Sequence, residues 1–148
     1  MDRRDVLFTG IGTLAALTLT GQALAEEKPH QHDTPQAGNP LQKVIAAALD
    51  CRGEGEACLA HCLGLFAAGD TSLAACAISV SETVALCTAL ATAASLNSPR
   101  LQKLAAVCID ACEACEKECR KHEDKHASCK ACADSCKRCI AACKALPA

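Results

Sequence analysis

The chain has 148 residues, with 15 Lys and Arg against 17 Asp and Glu and a formal net charge of −2, so it carries no basic field for nucleic acid or anionic lipid. Fourteen residues are cysteine, while Trp and Tyr are absent and only two Phe occur. A core normally draws much of its buried area from large aromatic side chains; here Ala, Leu, Val, Ile and cysteine must fill it, which excludes an aromatic-rich interior.

Residues 1–25, MDRRDVLFTGIGTLAALTLTGQALA, read as a removable leader: a short charged start with Arg3 and Arg4 paired, an apolar stretch broken by glycines, and Ala23, Leu24 and Ala25 as a small-x-small cleavage site. The RRDVLF pattern resembles the twin-arginine export signal, an address used in bacteria for proteins that cross the membrane already folded. The expected location is therefore the periplasm, with no membrane partner once the leader is removed. No cysteine lies near the cleavage point, so a lipid-anchored form is not expected. Residues 26–38, EEKPHQHDTPQAG, hold Pro, Gly, charge and the pair His30 and His32 without apolar periodicity, and read as a flexible polar tail.

Residues 39–148 read as the folded domain. Asn39 before Pro40 is a cap followed by a first-turn proline, and Gly69 is the stop of the first helix, which Gly53 and Gly55 weaken by about 1 kcal/mol each relative to Ala. Asp70 or Thr71 is the expected cap of a second helix running to about Leu96, with Asn97 as its stop. Ser98 and Pro99 repeat the cap-plus-proline start for a third, ending near Lys121. The polar HEDKHA stretch is a turn, and a fourth helix runs from about Ser128 to Leu146. No segment shows strand alternation. Four helices with short connections predict an all-α, up-and-down four-helix bundle. The second helix carries Glu82 as its only charge, and a helix apolar nearly all round is expected to be covered on both sides, which points to a homo-oligomer contact.

At 100° per residue, Cys108, Cys112, Cys115 and Cys119 fall within about 60° of one another, and Cys129, Cys132, Cys136, Cys139 and Cys143 within about 80°. Cys51, Cys58 and Cys62 span about 40°, and Cys76 and Cys87 about 20°. Intervals of three and four are the seam positions of a bundle, where Leu and Ile usually sit. Cysteines lining the core are the prediction.

Three chemistries compete for such a count. A disulfide framework suits an exported chain, yet neighbours at i and i+4 hold their Cβ atoms about 5–6 Å apart, against about 3.5–4.5 Å for a disulfide. Zinc needs paired knuckles; Cys112 with Cys115 and Cys129 with Cys132 have the spacing but lack the turn residues. Bacterial iron-sulfur motifs run CxxCxxCxxxCP on loops, whereas this run is CxxxCxxCxxxC on a helix. Charge favours a monovalent soft ion: a four-cysteine zinc site keeps two net negative charges in an apolar core, which is costly, while Cu(I) at about one per thiolate leaves it neutral. Multiple Cu(I) ions per chain, roughly one per cysteine, are the expected cargo. An oxidoreductase needs one exposed CxxC of low pKa; no pair is distinguished here, so an enzyme is not expected.

CLAHC in the first helix, CIDACEACEKEC in the third and CKACADSCKRCIAAC in the fourth resemble the bacterial copper storage protein family, four-helix bundles whose inward cysteines hold many Cu(I) ions. The likeness covers residues 40–146. It implies storage or detoxification of copper in the cell envelope, a tetramer, and a twin-arginine leader; a copper shuttle is the alternative function, and a zinc-binding or thiol-disulfide redox protein a further one. Exported members can carry methionines near the open end, where this chain has Leu65, Ala68 and Leu73. His61, inside CLAHC, matches the family's histidine near that end and is the expected intermediate ligand beside the fourteen cysteines. Gly69, His122 and His126 are expected to share the same mouth. His30 and His32 are open as Cu(II) ligands.

Overall fold

The computed structural model describes residues 38–147. The leader, the tail up to residue 37 with His30 and His32, and residue 148 lie outside them.

Four helices follow in order: α1 (Pro40–Ala67), α2 (Ala74–Ser95), α3 (Leu101–Arg120) and α4 (Ala127–Lys144). Each packs against its chain neighbours, and α4 closes the ring on α1, so the helices stand at the corners of an up-and-down square. The predicted bundle is therefore the observed fold.

The first helix starts as its sequence dictates: the Asn39 Oδ1 accepts the backbone N–H of Leu41 at 2.9 Å, with Pro40 in the first turn. Two helices end in the same way. Gly69 takes φ 86°, so that the Asp70 N–H reaches the Leu65 carbonyl at 2.9 Å and its own N–H reaches Phe66 at 3.0 Å. Asn97 takes φ 46°, and Ser98 and Asn97 bond Ala93 and Ala94 at 2.9 and 3.1 Å. Both are Schellman turns, in which a residue able to adopt positive φ satisfies the last carbonyls.

Two starts differ from expectation. Asp70 does not cap α2, because its carboxylate accepts the Ser72 N–H at 2.9 Å in a local turn, and Thr71 is likewise outside the helix; α2 begins three residues later, with Leu73 at its cap position and no side-chain cap. Ser98 similarly accepts the Arg100 N–H at 3.2 Å, and α3 begins at Leu101 rather than at Pro99. In both places the short polar side chain closes a turn of its own instead of the helix.

Gly55 does not merely weaken α1. A Cβ there would lie 2.6 Å from Val84 Cγ2, so the glycine lets α1 and α2 approach closely.

The inner faces follow one seam register. Along α1 it reads Val44, Ala48, Cys51, Gly55, Cys58, Cys62, and along α2 Leu73, Cys76, Val80, Thr83, Cys87, Leu90, Ala94, all buried. On α3 it reads Leu101, Ala105, Cys108, Cys112, Cys115, Cys119, and on α4 the five cysteines from Cys129 to Cys143. The register divides the interior. At the end holding the α1 N-terminus, Val44, Ala48, Leu90, Ala94, Leu101 and Ala105 make an apolar plug. The rest of the bundle is lined by sulfur.

Among the described residues α2 is the one helix long and apolar enough to cross a membrane. It packs on α1 and α3 within the bundle. Its hydroxyls fold back onto its own carbonyls, Ser81 on Ala77 at 2.8 Å, Thr88 on Val84 at 2.8 Å and Ser95 on Ala91 at 2.9 Å, so apart from the exposed Glu82 its outer face offers little polarity. Ile78 is 73% exposed on that face.

Candidate metal centre

All fourteen cysteines are free thiols and all are buried, none more than 4% exposed. The helical stripes predicted from their intervals thus converge on the bundle axis. There they form a connected set of sulfurs. Starting from the end nearest Gly69, Cys58, Cys76 and Cys129 make one group, and Cys58, Cys119 and Cys132 another; Cys115, Cys132 and Cys136 follow, and then Cys51, Cys87, Cys112 and Cys139. Within each group every sulfur lies within 4.8 Å of the others. Cys51 and Cys136, at 3.7 Å, link the last two groups, and Cys108 lies 3.7 Å from Cys87. Cys62, Cys108 and Cys143 belong to none of the groups.

The first group has informative geometry. Its three sulfur separations are 4.0 Å for Cys58–Cys76, 3.8 Å for Cys58–Cys129 and 4.0 Å for Cys76–Cys129. A metal centred in a plane of three thiolates with bonds of about 2.3 Å holds its sulfurs about 4.0 Å apart. Two sulfurs bound to opposite sides of one ion stand about 4.6 Å apart on the same bond length. The thiols therefore stand at metal-bridging distances on helices held by backbone hydrogen bonds.

The zinc-knuckle pairing is not what forms. Cys112 lies in the lower four-sulfur group and Cys115 in the group above it, while Cys129 and Cys132 likewise divide between groups. Residues three apart on a helix advance about 4.5 Å along the axis, so each member of a CxxC pair serves a different level.

Electrostatics oppose an empty, ionised core. Burial, then the Cys58 and Cys76 thiolates beside it, pushes the Cys62 thiol up to about 12; burial likewise pushes Cys129 up, followed by the same two neighbours. Hydrogen bonding sorts other pairs: the Cys108 contact drives Cys87 up, whereas Cys112 and then Cys136 hold Cys51 down. A cation is what lets neighbouring buried thiolates ionise together.

His61 joins no sulfur group. Its Nε2 lies 2.9 Å from His126 Nδ1, with ring centroids 5.0 Å apart, so the two imidazoles bridge α1 and the start of α4 at the end where Cys62 and Leu73 lie. His126 is also near enough to Asp70 to help hold its carboxyl down, behind the Ser72 hydrogen bonds. Gly69 and His126 therefore share one end of the bundle, as expected. His122 is turned to Glu118, Nε2 to Oε1 at 3.8 Å. Arg120 binds Glu123 at 2.6 Å and Asp134 at 2.7 Å, fastening the turn that carries both histidines.

The copper storage protein family model matches residues 37–148. The chain belongs to this family. A cysteine-rich protein of Bacillus subtilis (strain 168), uncharacterised and named YhjQ, is 33% identical over 107 residues, which span 72% of this chain and 95% of that relative. The Cu(I)-bound copper storage protein BsCsp3 superposes with a TM-score of 0.65 at 30% identity, covering 74% of this chain and all of that one. The resemblance seen in the three cysteine motifs is thus a family relationship, and the copper storage fold accounts for the inward stripes.

Sequence reasoning missed two features of the site. The first is the pairing of His61 with His126, 65 residues apart, which bundle topology allowed but side-chain spacing alone did not select. The second is a level without thiols on two of the four helices, where Gly55, Val80 and Thr83 occupy the seam. Its signal was present as the seven- and eleven-residue gaps from Cys51 to Cys58 and from Cys76 to Cys87.

Proposed function

We infer that this chain binds and stores many Cu(I) ions through its inward-facing cysteines, without catalytic turnover. The observation that carries the reading is the connected set of buried sulfurs, in groups whose members lie within 4.8 Å of one another, with Cys76–Cys119 at 3.5 Å and the Cys58–Cys76–Cys129 triangle at 3.8–4.0 Å. Soft thiolate selects Cu(I). One ion per thiolate also cancels charge where no Lys or Arg is buried among the described residues, whereas zinc would leave residual negative charge in a sulfur-lined interior. The capacity we propose is roughly one ion per cysteine.

His61, paired with His126 at the end nearest Cys62, is the intermediate ligand that passes copper between solvent and the thiols. The paired Arg3 and Arg4, the apolar stretch and the small-x-small site support export by the twin-arginine route to the periplasm. The outer face of α2, with Ile78 exposed and Glu82 as its one charge, supports a homo-oligomer, a tetramer by family resemblance.

Anaerobic titration of the reduced, leaderless protein with Cu(I) against a colorimetric chelator tests the function. Saturation well above seven equivalents and approaching fourteen is expected. Saturation at three or four, with zinc preferred, overturns it and assigns the Cys51, Cys87, Cys112 and Cys139 group to zinc.

A further inference from the structure

The sulfurs are continuous along α3 and α4 but not along α1 and α2. On α3 and α4 successive cysteines are three or four residues apart, about 4.5–6 Å of rise. On α1 the gap from Cys51 to Cys58 is seven residues, about 10.5 Å, and on α2 the gap from Cys76 to Cys87 is eleven, about 16.5 Å. Gly55, Val80 and Thr83 fill those gaps, all buried. None of them offers a soft ligand: Thr83 Oγ1 is committed to the Ser79 and Ala111 carbonyls at 3.0 and 3.3 Å. Across this stretch the sulfurs come from α3 and α4, as the group of Cys115, Cys132 and Cys136, and α1 contributes again only at Cys51, 3.7 Å from Cys136.

The bundle is also closed at its far end by the apolar plug of Val44, Leu90 and Leu101. An ion heading for the lower group of Cys51, Cys87, Cys112 and Cys139 therefore comes from the His61 end and crosses that stretch. We propose that Cys115, Cys132 and Cys136 form a relay that divides the store in two, an upper compartment filled directly and a lower one filled only through these three thiols. This rests on the Cu(I) storage reading.

Each transfer is a ligand exchange. A new Cu–S bond forms to the receiving thiolate as one to the donating thiolate breaks, a proton passes from the receiving thiol to the sulfur left behind, and copper stays Cu(I) with no electron moved. The receiving sulfur must be within bridging reach, as Cys136 is to Cys51 at 3.7 Å. Removing both Cys115 and Cys136 leaves a seven-residue gap on α3 and on α4 as well, and no helix then offers the next ligand.

The test is cysteine alkylation after timed exposure of the whole reduced chain to Cu(I), with peptide mapping to read which thiols copper protects. In the wild type, upper and lower thiols become protected together. In the Cys115→Ala/Cys136→Ala variant the upper thiols should be protected at the wild-type rate and Cys51, Cys87, Cys112 and Cys139 more slowly, on the order of tenfold or more. The Cys108→Ala/Cys143→Ala variant, which removes two thiols beyond the relay, should show no such delay. Adding Val80→Cys to the slow variant places a thiol four residues from Cys76 and should restore fast filling, a result that a general loosening of the core does not give. If the Ala pair loses its helical far-UV signal, the Cys115→Ser/Cys136→Ser pair is read in the same way. Lower thiols protected at the wild-type rate in the relay variant overturn the proposal, whereas a wild-type chain that protects no thiol overturns the storage reading itself and the relay with it.

Discussion

Toward the Gly69 turn, α1 presents Cys51, Cys58 and Cys62 on its inner face; toward its own N-terminus the same face presents Val44 and Ala48. On α2 the change falls between Cys87 and Leu90, one turn apart, and on α3 between Ala105 and Cys108. The seam register runs through both regions without a break. Only the side-chain chemistry changes, so backbone geometry and cargo chemistry are separable in this bundle: the apolar end and the flanking Ala and Leu residues fold the chain, and the sulfur-lined region gives it capacity.

Truncating the two neighbours at the boundary separates the two regions most clearly. Leu90→Ala should cost about 2–5 kcal/mol in urea unfolding of the apoprotein, the penalty for emptying a fully buried Leu site, with Cu(I) capacity unchanged. Cys87→Ala should cost only about 1 kcal/mol and lower the capacity. Equal losses of capacity from the two would erase the distinction.

Within the sulfur-lined region, Gly55→Ala should destabilise the chain by about 1 kcal/mol, because the overpacking against Val84 outweighs the gain in helix propensity. Thermal unfolding of the apoprotein reads it, and a stabilised variant would mean that α2 yields at this contact.

A third effect depends on pH. The folded chain holds the Cys62 proton up to about 12, above the ordinary thiol value of 9.0. Between those values the unfolded chain has released a proton that the folded one keeps, so this group's stabilisation is complete below pH 9 and is lost as pH rises toward 12. Melting temperatures of the apoprotein should fall across that window, and those of the Cu(I)-loaded protein should fall less, since copper has already displaced the proton. Parallel declines would contradict the shift.

The smallest expected effect is at the mouth. His61→Ala should slow copper loading or removal in stopped-flow measurements and leave capacity nearly intact, since His61 pairs with His126 and joins no sulfur group. Unchanged kinetics would move the entrance elsewhere.

Much of this was legible because seam intervals are a property of the chain: the spacing from Cys129 to Cys143 determines a helical face whatever the neighbours do. Gly69 and Asn97 were legible as stops for a similar reason, since positive φ is a local demand. The starts of α2 and α3 were not, because Asp70 and Ser98 have local partners at Ser72 and Arg100 that compete with the cap. The role of Gly55 was hidden as well. Propensity records only its cost to α1, while its benefit appears once Val84 is placed against it.

Native mass spectrometry of the reduced chain through an anaerobic Cu(I) titration reads compactness and ion count in the same spectrum. A preformed seam that presents its thiols to copper should give a narrow, low charge-state envelope with no copper bound, unchanged as the mass climbs toward fourteen ions. A broad unfolded envelope that narrows only with metal, or a mass that stops at three or four ions, would contradict it.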